Sequence, residues 1–344
     1  MDISTLQQRL VDLCDDGIWQ SSTRLLSSIT FPDRNCFFTL NILLTLDQCN
    51  GLSSELIPSV AKARRMLAEY NHKSLTCFWE VRDAQPTYFG SKLLGRLVKM
   101  SADPDSTCLD LLAVPDETRN EAVLEALATH RIDGDNFRLV KMLSKHLLDA
   151  HGTFLSWFPA GSTDNLPQQE LVDVVVDVNI LWYVKSLNRL DIAGCNETIR
   201  FVRSAITSEL VLTDPFLVSP YYPFPAVVIF MLVRAIVWGG IVELEDLLPK
   251  LISFASKVTP TRNVDRLLLL ATAVMTDNDQ LIDKYRDALN STSRKPDTIF
   301  VGSVTSVWAA INYNLARVPI VQAQFSCEAF SLALKLWIMQ QLTE

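Results

Sequence analysis

Apolar residues recur three and four apart along most of this chain, and the breaks between such runs carry Gly, Pro, Asp or Asn. Ile3 to Leu13 reads as a short amphipathic helix. Phe37 to Leu46 is apolar on nearly every side. Ser53-Ser54-Glu55 with Pro58 opens a helix to Tyr70 that keeps Lys62, Arg64 and Arg65 on its polar side. Further helices are expected over Gly90 to Met100, from Pro115-Asp116-Glu117 to Thr129, over Asn136 to Asp149, and over Cys195 to Ser208 with Asn196 as its cap. Gln168 to Leu187 is apolar nearly all round and should be buried. Its Val174-Val175-Val176 run also suits a strand, but its length and the lack of turn signals favour helix. At about 100° per residue, Asp173 and Asp177 then share a face with Ile180 and Val184. Ala226 to Val242 is almost continuously apolar, broken by Arg234 and Gly239-Gly240. It is short of the roughly 20 residues that span a bilayer, so it reads as the inner helix of a barrel. Arg234 is then a candidate partner for the two acids. Glu243 to Lys257, Thr261 to Thr276, Asn278 to Leu289, Val304 to Leu315 and Ser326 to Leu342 bring the helical segments to about fourteen. No strand pair is predicted. No linker divides residues 1–344, so one all-α domain is expected.

Two connectors stand apart. Ala160 to Pro167 is a polar loop suited to the rim of a site. Asp214 to Pro225 is rich in proline and aromatic residues, and its prolines make it rigid.

Composition narrows the function classes. The chain has 344 residues, 49% hydrophobic and 20% charged, with only 11 glycines, which suits long helices and a large core. The 31 basic and 39 acidic residues give a net charge of −8, and no basic run appears, so binding driven by nucleic-acid phosphates is not expected. The seven cysteines are scattered and mostly set in apolar runs, as for reduced thiols in a cytoplasmic protein. Met1-Asp2-Ile3-Ser4 shows no positive residues followed by an apolar core, so no signal peptide is expected.

The acids are the candidate chemistry. Asp103-Pro104-Asp105 has two readings. Asp103 can be an N-cap, with Pro104 the first helical residue and Asp105 an acid near the positive end of the helix dipole. The run Asp103-x-Asp105-Ser106-Thr107-Cys108 also resembles the acid motif of class II terpene cyclases, Asp-x-Asp-Asp followed by Thr and a small residue. The resemblance puts the family's proton donor on Asp105, with Ser106 in place of the last acid. Asp15-Asp16-Gly17-Ile18-Trp19 and Asp149-Ala150-His151-Gly152-Thr153-Phe154 are similar to the Gly-x-aromatic turns that join helix pairs in terpenoid-cyclase and protein-prenyltransferase toroids, without the glutamine common there.

The resemblance implies a single (α/α)6-type toroid with inner and outer helices around an apolar cavity. It implies acid-initiated carbocation chemistry, of isomerase or lyase type, on an isoprenoid substrate. Asp105 would donate the proton, and Asp103, Asp173 and Asp177 would shape its field. Trp79, Trp157, Tyr221 and Tyr222 would offer π faces to carbocations, with Arg234 also at the substrate. Mg2+ would enter if the substrate is a diphosphate. Class II cyclases build their site between two helical domains. This chain accounts for one, so either the lumen holds the site or a partner protein or second copy supplies the other wall. A second reading is a non-catalytic toroid that binds a lipid, peptide or protein. A third is a carbohydrate-active (α/α)6 enzyme using paired carboxylates. The magnesium-binding Asp-Asp-x-x-Asp run of class I terpene synthases is missing, as are metal-ligand spacings, Gly-rich phosphate loops and Gly-x-Ser-x-Gly.

Overall fold

Six helices close into a ring. The computed structural model describes residues 2–25, 28–82, 85–86, 102–132, 143, 146, 148–158, 171–290, 296–303 and 317–343. Its fourteen α-helices, counted among the described residues, are α1 (Ile3–Asp12), α2 (Cys36–Leu46), α3 (Leu56–Met66), α4 (Pro104–Ala113), α5 (Glu117–Thr129), α6 (Val174–Ser186), α7 (Cys195–Thr207), α8 (Leu210–Thr213), α9 (Pro215–Val218), α10 (Pro225–Gly239), α11 (Leu248–Lys257), α12 (Asn263–Met275), α13 (Asp279–Tyr285) and α14 (Glu328–Gln341). Helices α2, α4, α6, α10, α12 and α14 each pack on the next, and α14 returns to α2. The helices between them in the chain form the outer layer: α1 lies on α14, α7 on α6, α11 on α10, and α13 on α12. This is an α/α toroid.

Burial separates the layers as the sequence pattern requires. All of α2 is buried, as are Val174 through Val184 of α6 and Ala226 through Ile236 of α10. A helix enclosed on every side must be apolar all round. The outer helices bury one stripe only. On α7 this is Cys195, Thr198, Phe201, Val202, Ala205 and Ile206, three and four apart, and on α11 it is Leu251, Phe254 and Ala255. Because an outer helix runs back between successive inner ones, the inner N-termini gather at one end. Asn35, Asp103 and Asp173 cap α2, α4 and α6 there with their side chains.

The two Gly-x-aromatic turns join the layers. Gly17 and Gly152 have φ of +82° and +75°, the left-handed region that glycine enters without strain. Trp19 is fully buried and donates from Nε1 to the Leu10 carbonyl at 2.8 Å, while its N–H donates to Thr39 Oγ1 at 3.2 Å. The N–H of Phe154, also fully buried, donates to Thr198 Oγ1 at 3.3 Å.

The expectation of no strand pairs is overturned. Strands β1 (Cys14–Asp15) and β2 (Ile18–Trp19) form a hairpin. Strands β3 (Ser21–Leu25) and β4 (Ile29–Asp33) join β9 (Phe300–Ser303) and β10 (Gln322–Ser326) in an antiparallel sheet of order β4-β3-β10-β9, and β5 to β8 make two short hairpins between residues 71 and 86. The strands are two to five residues long and mostly polar, and β3 meets β10 across almost the whole chain, so no local alternation marks them. Helix starts also differ. The helix expected from Gln168 begins at Val174, and α7 is capped by Gly194, not Asn196. The expected helices Gly90 to Met100 and Val304 to Leu315, most of Asn136 to Asp149, and the Ala160 to Pro167 loop lie outside the described residues. Among the described residues no helix is long and apolar enough to cross a membrane.

Candidate active site

At the start of α4 the capping reading of Asp103-Pro104-Asp105 holds. Asp103 is the N-cap: its Oδ1 accepts the Ser106 N–H at 2.6 Å, and Pro104 takes the first helical position, where no N–H is needed. Asp105 makes no capping bond. It is 5% exposed, and both its oxygens accept from other elements: Oδ1 from Asn179 Nδ2 at 2.7 Å and Oδ2 from the Tyr222 hydroxyl at 2.5 Å.

Tyr222 lies in the connector between α9 and α10, which also holds Asp173. The Tyr221 N–H donates to Asp173 Oδ2 at 3.0 Å, and Ser219 Oγ to Asp173 Oδ1 at 2.6 Å. The same Oδ1 accepts the Val175 N–H at 2.9 Å and so caps α6. Consecutive residues of one rigid loop thus bind Asp173 and Asp105 and bring the two acids together.

Burial raises the carboxyls. Asp103 and Asp173 are each pushed up to about 7 by loss of hydration, with the nearby Asp105 adding a like charge to both. Asp105 is also raised, burial outweighing the bonds from Tyr222 and Asn179 and the charge of Arg234. Asp177 is held well above the ordinary range by burial and then by Asp173, and neither of its carboxyl oxygens has a hydrogen-bond partner among the described residues. Asp103 Oδ2 and Ser106 Oγ are likewise buried and unpartnered there.

Arg234 does not pair with Asp173 or Asp177, contrary to expectation. Fully buried on α10, its guanidinium donates to Asn41 Oδ1 from Nη1 and to Asn179 Oδ1 from Nη2, the latter at 2.8 Å. It lies over Trp182 at 5.4 Å and Phe230 at 5.9 Å, and burial pulls its pKa down to about 10. The reason is the start of α6. With the helix beginning at Val174, Asp173 turns to the connector as a cap. Asn179 is the α6 residue that bridges the ring neighbours α4 and α10, and Asp177 lies about 200° round the helix from it.

Of the expected aromatics, Tyr222 contacts Asp105 directly. Its ring lies 5.7 Å from Phe37 and 5.9 Å from Phe300, and Phe300 stacks on Phe325 at 4.6 Å. Trp157 donates from Nε1 to the hydroxyl of Tyr221, whose backbone N–H binds Asp173. Trp79 donates to Asp33 Oδ1 at 2.8 Å and bridges Asn35, the cap of α2. Sequence reasoning missed Asn41, Asn179, Ser219, Phe37 and Phe300 as site residues. The two asparagines carried a signal, as the one amide in each of two largely apolar buried helices. Phe300 carried none, because β9 is recognisable only through its partner. Among the described residues no group of three or more His, Cys, Asp or Glu side chains is placed to hold a metal ion.

The apo structure of the type II terpene cyclase MstE from Scytonema matches this chain with a TM-score of 0.62, at 9% identity, over 99% of this chain and 98% of that one. The two chains share one fold. A variant of MstE in complex with its substrate, geranylgeranyl dihydroxybenzoate, matches with a TM-score of 0.61 at 9% identity over 99% and 98% of the two chains. Another, in complex with the product merosterolic acid A, matches at 0.59 and 9% identity over 98% and 96%. No protein-family model matches the sequence, and no curated protein matches it significantly.

Proposed function

We propose that the protein is a terpene cyclase that starts carbocation cyclisation of an isoprenoid by protonating a double bond from Asp105. One observation carries the reading: Asp105 is a buried carboxyl inside the helical ring, free of the capping role that Asp103 fills. Its raised pKa keeps more of it protonated near neutral pH than an exposed aspartate, which an acid catalyst needs. Asn179 and Tyr222 hold it in place, and Phe37, Phe300 and Tyr222 form an aromatic cluster beside it whose faces can stabilise positive charge. The near-complete mutual coverage with MstE supports a site that a toroid of this length can provide without a second helical domain.

Asp103, Asp173 and Asp177 then act on the field around Asp105. Replacement of the family's last acid by Ser106 favours the alternative, a toroid that binds an isoprenoid or other lipid without turning it over. Product analysis separates the two. The protein is incubated with squalene, with farnesyl and geranylgeranyl diphosphate, and with geranylgeranyl dihydroxybenzoate, with and without Mg2+, beside Asp105→Asn. A cyclic product is expected, reduced roughly 10²- to 10⁴-fold in Asp105→Asn. A product that needs Mg2+ and survives Asp105→Asn would sink the proton-donor role and point to ionisation of a diphosphate. No turnover of any substrate would favour the binding module.

A further inference from the structure

The guanidinium of Arg234 is fully buried, yet it is bonded to two amide oxygens rather than to a carboxylate. An arginine can only donate. It therefore holds Asn179 with Oδ1 toward itself, and the amide's Nδ2 must face Asp105, where it donates to Oδ1 at 2.7 Å. With Oδ1 facing a donor, the proton of a neutral Asp105 belongs on Oδ2, the oxygen beside the Tyr222 hydroxyl. The chain Arg234 to Asn179 to Asp105 has a direction, and it ends on the acid.

We infer that Arg234 is a positioning residue of the reaction: acting through Asn179, it confines the transferable proton of Asp105 to Oδ2 and makes that proton more acidic. The inference rests on the reading of Asp105 as proton donor. In the initiating step the Oδ2–H bond breaks and its electron pair stays on Oδ2. The π pair of the substrate alkene forms the new C–H bond, leaving a carbocation and a carboxylate. The positive charge of Arg234, carried through the oriented amide, stabilises that carboxylate, and the Tyr222 hydroxyl donates to the bared Oδ2.

Among the described residues, the other groups around Asp105 do not supply this charge. Asp103 on its own helix and Asp173 at the start of α6 are acids, and Asp177 lies on the far side of α6. Cys36 on α2 and Cys108 on α4 are thiols that burial keeps protonated. Arg119 is engaged by Asp110 at 2.8 Å.

Two readouts on the full chain test this. The first is the infrared band of the protonated carboxyl that disappears in Asp105→Asn, titrated without ligand. Its midpoint should rise by about one pH unit or more in Arg234→Met and in Asn179→Leu. It should stay near the wild-type value in Arg234→Lys, which keeps the charge, and the double variant should shift no further than either single one. The second is the pH profile of turnover of geranylgeranyl dihydroxybenzoate and squalene. In Arg234→Met and Asn179→Leu, kcat should fall roughly ten- to hundredfold with KM little changed, and the alkaline limb should move up with the infrared midpoint. A purely structural role would lower kcat without moving that limb. Thermal melts establish that each variant is folded, and if Arg234→Met is not, Asn179→Leu carries the test. Wild-type turnover with an unmoved midpoint overturns the inference alone. Absence of wild-type turnover removes the proton-donor reading, and the inference falls with it.

Discussion

Asp103 serves as a helix cap while burial keeps its pKa near 7. Below pH 3.8 the folded and unfolded chains both hold this proton, so the shift has no effect there. Between about pH 4 and 7 the unfolded chain releases the proton and the folded protein keeps it. Stability should therefore fall across that window by about 1.4 kcal/mol per pH unit for such a group, and level off above it. Asp103→Asn tests this cleanly, because asparagine caps as well as aspartate and only Oδ1 is in use. The variant should match the wild type near pH 4 and exceed it at pH 8, as read from urea midpoints. An equal pH slope in the two proteins would show that Asp103 titrates normally. The acids themselves were legible, since carboxylates in apolar runs stand out. Their partners were only half so: Asn179 was visible as a polar residue in a buried helix, but nothing local tied it to Asp105 and Arg234.

Among the elements, the helices were readable because each obeys its own periodicity, and inner and outer ones differ by whether the apolar stripe closes. The turns were readable where glycine is required. At Gly17 a Cβ would meet Met66 Cγ at 2.6 Å and the Lys62 carbonyl at 3.1 Å, in a backbone already at φ +82°. Gly17→Ala should cost roughly 1–3 kcal/mol in urea unfolding. A loss of a few tenths would mean that the β1–β2 turn relaxes and does not fix the α1–α2 joint. The four-stranded sheet was not readable. Strands such as Gln322-Ala323-Gln324-Phe325-Ser326 have no strong alternation, and they exist because the ring brings β3 and β10 side by side.

For the whole molecule, ring closure is the decisive event. α14 packs on both α1 and α2, and β10 pairs with β3, so the two ends of the chain complete one another. We propose that the ring therefore unfolds as one unit. Phe330, 1% exposed and 6.1 Å from Phe38 and 6.4 Å from Phe230, joins α14 to α2 and α10. Phe330→Ala should cost about 3–5 kcal/mol, and tryptophan fluorescence and far-UV circular dichroism should shift together. Transitions that separate would show halves that melt independently.

The sequence by itself determined the helical segments, the glycine turns and the presence of acids in α4 and beside α6, because periodicity, caps and turns are local and act within a few residues. The toroid it offered only through a family resemblance. Tertiary structure decided the rest. It turned Asp105 inward while Asp103 capped the helix. It gave Arg234 to two asparagines instead of two aspartates, and it set Tyr221 and Tyr222 on different acids. Each of these depends on which helices the closed ring makes neighbours, a property of contacts between residues tens to hundreds of positions apart.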